Sequence, residues 1–195
     1  MKKLKIFGIL SLILFVSIGC LEEQKRKIAY LSLQAEKLQK EYVPLKFKIN
    51  ERSNEVIRFE VKLFDADANE IAYQKYELHG KELAFDFYVM PIKDGFLSFP
   101  YQIFTDEIAP ENGIPLLNLY DKNGFPELFR QKNMQQAAEI ELKSVFLQMK
   151  ANIAGTDSTA FGNAVHDVFG LKQFEINTVY KIVARTKGGI EIVTN

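Results

Sequence analysis

From Leu45 onward, apolar and polar residues alternate with period two, the pattern of strands with one buried and one wet face. Leu45, Phe47 and Ile49 alternate with Lys46, Lys48 and Asn50. After the turn residues Arg52-Ser53-Asn54, Ile57, Phe59, Val61 and Leu63 alternate with Arg58, Glu60 and Lys62. A weaker strand is expected over Ile71 to Leu78, and the clearest follows His79-Gly80-Lys81. There Leu83, Phe85, Phe87 and Val89 face one way, and Glu82, Ala84, Asp86 and Tyr88 the other. Phe96 to Phe104 alternates again, but Pro100 has no N–H for a ladder, which predicts an edge or bulged strand. Ile114 to Tyr120 reads as a short apolar strand before a turn at Asp121-Lys122-Asn123-Gly124. The last alternating residues are Phe174, Ile176, Tyr180 and Ile182, then Ile190 to Val193 after Lys187-Gly188-Gly189, which predicts a terminal hairpin.

Two stretches have the helical period instead. Ile28, Leu31, Ala35, Leu38 and Tyr42 recur at three and four, and Pro44 closes the segment. Met134, Ala138, Leu142, Val145, Phe146 and Met149 do the same between Asn133 and Ala151, with Asn133 as the expected cap and Gly155 as the stop. A short helix is expected from Ala160 to Phe169, capped by Asp157 or Ser158. These elements predict an α+β fold: an antiparallel sheet or small β-sandwich of about seven strands, an N-terminal amphipathic helix, and C-terminal helices before the terminal hairpin. The expected organisation is a leader over 1–19, a helical linker over 20–43 and a single domain over 44–195.

The leader has a pattern of its own. Met1 to Lys5 carry three lysines, Ile6 to Ile18 are almost wholly apolar, and Gly19 leads into Cys20, the only cysteine. The apolar run is shorter than the roughly 20 residues of a membrane span and has the layout of a secretory signal. Ending in cysteine, it resembles the signal of a bacterial lipoprotein precursor. The resemblance implies cleavage after Gly19, a diacylglycerol on the Cys20 thiol and usually an acyl chain, such as palmitate, on the freed amine. Ser17 stands where that family prefers Leu. The implied location is the cell envelope, with the domain outside the cytoplasm and anchored by lipid to the outer or inner membrane. Leu21 is not the Asp that retains some such proteins at the inner membrane.

Composition narrows the functional classes. Loss of Lys2, Lys3 and Lys5 takes the 25 basic residues to 22 against 25 acidic ones, a net charge of about −3. That balance, without a clustered basic surface, argues against a nucleic-acid partner. With Cys20 committed to lipid, no thiol is left for a disulfide, a cysteine–metal site or a nucleophile. Stability must come from the core, for which 14 of the 16 phenylalanines remain once Phe7 and Phe15 are removed. Trp is absent, which weakens a carbohydrate-binding reading.

The residues with reactive side chains do not assemble into a recognised motif. Asp65-Ala66-Asp67-Ala68-Asn69 opens like a calcium loop, but Glu70 stands where that loop needs Gly and Tyr76 where it needs Glu, so a hairpin turn is expected. Thr105 to Gly113 is an acidic connection in which Asp106 and Glu107, as neighbours on an extended loop, face apart. His79 lies in a turn. His166 could act as a base on Ser158 or Thr156, yet Asp167, its neighbour on a helix, points about 100° away and cannot orient it. Lys25-Arg26-Lys27 could meet lipid headgroups, offset by Glu22 and Glu23. No catalytic residue, metal ligand or cofactor is therefore assigned, and Cys20 is the one expected modification site. The expected role is a non-enzymatic interaction or assembly module with an envelope protein partner. Two alternatives stand beside it: a receptor for a small or apolar ligand held under the Asn133 to Ala151 helix, and a hydrolase with an unrecognised site.

Overall fold

The computed structural model describes residues 41–92, 95–155, 163–165 (backbone only), 174–187 and 189–195. All belong to one compact unit, Leu38–Asn195. The leader, Cys20 and the stripe from Ile28 to Leu38 lie outside the described residues. The fold is mainly antiparallel β-sheet, with one helix longer than a single turn among the described residues.

The first sheet holds β1 (Tyr42–Arg52), β2 (Val56–Phe64), β3 (Glu70–His79), β10 (Val179–Ala184) and β11 (Ile190–Thr194). Its order is β11-β10-β1-β2-β3, so the C-terminal hairpin completes the sheet begun by the N-terminal meander. The alternation read in the sequence sets its faces. Leu45, Phe47 and Ile49 of β1 and Ile57, Phe59, Val61 and Leu63 of β2 are buried on one side. Opposite charges pair on the other: Glu51 and Glu77 flank Arg58 at 2.6 Å each, and Lys62 meets Glu70 at 2.7 Å.

The second sheet runs β6-β5-β4-β9, from β4 (Leu83–Ile92), β5 (Gly95–Thr105), β6 (Ile114–Pro115) and β9 (Asn163–Val165). Its register slips between Asp86 and Phe87: Asp86 pairs with Gln102 but Phe87 with Pro100, leaving Tyr101 as the extra residue. The proline thus sits at a bulge, as its missing donor requires. Short β7 (Asp121–Lys122) and β8 (Phe125–Pro126) form a hairpin whose tip, Asn123 and Gly124, has φ of 55° and 78°. That left-handed pair is the turn that Asn-Gly favours.

The sheets share one core. Phe47 of the first lies 4.6 Å from Phe85 of the second, with Phe174 and Tyr180 at 5.0 and 5.4 Å. The Tyr42 hydroxyl fastens the start of β1 to β5, donating to the Ser98 carbonyl at 2.8 Å and accepting the Ser98 N–H at 3.2 Å. After α1 (Leu117–Tyr120) comes the long helix α2 (Gln136–Ile153). Its Phe146 closes a second aromatic group with Phe99, Phe129 and Tyr120, at ring distances of 5.1 to 5.9 Å.

Several expectations are corrected. Tyr42 is strand, not helix: β1 begins before Pro44, because its register with β10 shifts between Tyr42 and Leu45 and no ladder bond is asked of the proline there. Ile114 to Tyr120 is not one strand. Leu116 donates its N–H to the Tyr101 carbonyl at 2.8 Å, pairing stops, and a helical turn follows. Asn133 does not cap α2, which starts at Gln136 with Gln135 as its uncapped boundary. A turn from Met134 N–H to the Gln131 carbonyl holds Asn133 outside the helix. Gly155, with φ of 69°, does mark the stop. The helix expected over Ala160 to Phe169 is overturned at Asn163–Val165, which pairs with Asp86, Phe87 and Tyr88 of β4. A free strand edge outweighs a local capping signal. Ile176 precedes β10 and is joined to Ile49 by a single bridge.

Candidate functional site

Among the described residues, those marked by sequence for chemistry do not converge. Thr156, Ser158, His166 and Asp167 lie outside the described residues. The acidic connection after β5 is a joint. Asp106 Oδ1 accepts the N–H groups of Lys81 and Glu82 at 2.7 and 3.0 Å, binding the β3–β4 turn to the end of β5. Beside it, the Thr105 hydroxyl donates to the His79 carbonyl at 2.6 Å and accepts the Ile108 N–H at 3.1 Å. Gly80 is required between them: its φ is +114°, and a Cβ would lie 2.5 Å from Thr105 Oγ1. Burial raises the pKa of Asp106, but the N–H donors of Glu82, Lys81 and its own backbone outweigh it and hold the carboxyl below its ordinary range. Glu107 enters that joint through its backbone N–H, which donates to the Thr105 hydroxyl at 3.3 Å.

The Asp65 loop is likewise a closed turn. Asp65 Oδ1 accepts from the N–H groups of Asp67 and Asn69, and its other oxygen from the Asn69 side chain at 2.9 Å. Asp67 reaches instead to the Lys132 N–H at 2.6 Å. Among the described residues, no group of three or more His, Cys, Asp or Glu side chains could hold a metal ion.

Beneath α2, where the alternative reading would hold an apolar ligand, aromatic rings pack together. Phe99, Phe129, Phe146 and Tyr120 are all fully buried there, and the Tyr120 hydroxyl donates to the Pro100 carbonyl at 2.7 Å. A ligand would have to displace these rings.

The other face of the helix is different. Ile140 is 62% exposed and Leu147 47% exposed. Seven residues apart, they share one side of α2 with Ser144 between them. Helical periodicity assigns Met134, Ala138, Leu142, Val145, Phe146 and Met149 to one face and leaves Ile140 and Leu147 unassigned. Their spacing was the available signal.

A second feature escaped the sequence reading altogether. Asp86 is 2% exposed, opposite Gln102 in the register and close to Tyr88 and Tyr101. Burial pushes the Tyr101 hydroxyl up, and the charges of Asp86 and Tyr88 add to it. Sequence alternation sets Asp86 on the face opposite Leu83, Phe85, Phe87 and Val89, and β4 is buried on both sides over most of its length.

A third lies on the outer face of the first sheet: a groove of about 290 Å³ lined by Glu41, Tyr42, Lys46, Phe64, Asp65 and Lys181, among others. It opens beside the point where the chain from Cys20 enters the described domain.

Comparison of the chain with models of protein families, with characterised proteins and with solved structures finds no match. Among the described residues, no helix is long and apolar enough to cross a membrane.

Proposed function

We propose that this chain is a lipid-anchored lipoprotein of the cell envelope, held to the outer or inner membrane through Cys20, whose α+β domain is a non-enzymatic interaction or assembly module. The observation that carries the anchor is the Gly19-Cys20 junction after a cationic head and a short apolar run, with no second cysteine in the chain. Acylation at thiol and amine would hold the protein nearly irreversibly, since two chains suffice for stable anchoring. An amphipathic helix over Ile28, Leu31, Ala35 and Leu38 would link anchor and domain.

The interaction role is supported by α2, which sets Ile140 and Leu147 in solvent while its other side is packed. Large apolar side chains gathered on one exposed face are the usual mark of a contact surface. The partner is then an envelope protein with an apolar groove able to take one helix face.

The test is the Cys20→Ala variant in the native membrane. Wild type is expected in the membrane fraction with an intact mass starting at Cys20 plus acyl chains. The variant should lose the acyl mass and leave the membrane, its circular dichroism unchanged. A Cys20→Ala chain that stays firmly membrane-bound overturns the anchor. Crosslinking of the wild type should recover one recurrent envelope protein, and its loss on replacing Ile140 and Leu147 by Ser would assign the contact to α2.

A further inference from the structure

We propose that the outer face of the first sheet binds the phosphate headgroups of anionic lipids through a row of lysines, laying that face against the membrane. The register places Lys181 of β10 opposite Lys46 of β1, and Lys46 opposite Lys62 of β2. Three like charges therefore stand abreast on adjacent strands, with Cβ atoms about 5 Å apart, an arrangement that costs stability when nothing lies between them.

The nearby acids do not relieve it evenly. Lys62 has Glu70 at 2.7 Å, and Glu60 is taken by Lys48 at 3.0 Å. Glu41 is held by Arg185 at 2.8 Å, and both Asp65 oxygens by their own turn. Among the described residues, Lys46 and Lys181 have no carboxylate within ion-pair distance. Lys46 lies instead over the Phe64 ring, 5.2 Å from its centre, which aims the ammonium along the groove. Both lysines line that groove, so an anion can enter between them.

The occupant follows from where the groove sits, and this step rests on the anchor reading. Glu41 and Tyr42 line it, and only 20 residues, Leu21 to Lys40, lie between Cys20 and Glu41. As a helix they span about 30 Å. An anchored domain on so short a tether meets headgroups at high effective concentration, so two or three lysines suffice, each worth about fivefold in association.

The experiment labels lysines with an amine-reactive reagent and reads each by mass spectrometry, on full-length protein purified from membranes. It is added to vesicles of phosphatidylcholine alone, or of phosphatidylcholine with phosphatidylglycerol. Lys46, Lys62 and Lys181 should be protected several-fold on the anionic vesicles only, while Lys122 and Lys143, which lie outside that sheet, do not change. In the Lys46→Gln, Lys181→Gln double variant, protection of Lys62 should be lost, with thermal stability at low salt equal to or above wild type. Equal protection on both vesicles, or none on either, overturns the proposal. Protection by inorganic phosphate in detergent without vesicles reassigns the groove to free phosphate and also overturns it. The same spectra show whether Cys20 is acylated. A bare Cys20 would remove the anchor reading, while the lysine result would still be decided by the added vesicles.

Discussion

Asp106 joins two hairpins with one carboxylate, and its charge is part of the joint. Its folded pKa is depressed, so it contributes stability at pH values above its ordinary pKa in the unfolded chain, and that contribution is lost as pH falls through the folded value. The group is largely exposed, so solvent screening keeps the effect small. Asp106→Asn is expected to unfold slightly more easily than wild type at pH 7, with the difference shrinking as pH is lowered below the ordinary carboxylate range, in urea titrations at each pH. A difference that persists at acid pH would show that geometry, not charge, holds the turn. None of this was legible in the sequence, where Asp106 and Glu107 are two equivalent acids on a loop. What separates them is the end of β3 arriving from 25 residues away, a contact that no local pattern encodes. Asp86 was hidden for a related reason. Alternation reports how many faces of a strand are apolar only when the polar residues on the second face outnumber the exceptions, and Ala84 and Tyr88 blur that face.

Among elements, legibility followed length and the source of the hydrogen bonds. The long strands from β1 to β5, the terminal hairpin and α2 were readable because each repeats its period over several residues. Strands β6 and β9 have two and three residues, and exist only because an edge of β5 or β4 accepts them. The α2 helix also shows how one period can serve two surfaces. Phe146→Ala, which removes a fully buried ring packed on Phe99 and Tyr120, should cost about 3–5 kcal/mol. Ile140→Ser with Leu147→Ser removes exposed groups and should change stability by less than about 1 kcal/mol in total. Thermal or urea unfolding separates the two cases. If the double variant proved as costly as Phe146→Ala, the exposed stripe would be part of the core, and the contact surface would have to be sought elsewhere.

At the scale of the whole molecule, the question is whether two sheets joined by few hydrogen bonds behave as one. Backbone ladders run within each sheet, so their coupling depends on side chains, and Phe47 is at the centre of it. Its ring touches Phe85 across the interface and Phe174 and Tyr180 on its own side, so β1, the middle strand of the first sheet, carries the contact to the second. Tyr42 adds a hydrogen-bonded tie from the same strand to Ser98. Deleting the Phe47 ring should therefore weaken both sheets by the same amount, about 3–5 kcal/mol, out of a total that for such a domain is about 5–15 kcal/mol. Amide hydrogen exchange of the Phe47→Ala variant is the measurement. If the domain opens as one unit, the slowest amides of β2 and of β5 should accelerate by the same factor, because both exchange through global unfolding. If the sheets open separately, β2 will accelerate while β5 keeps its wild-type rate. The domain would then be two loosely joined layers, with α2 belonging to the more stable one.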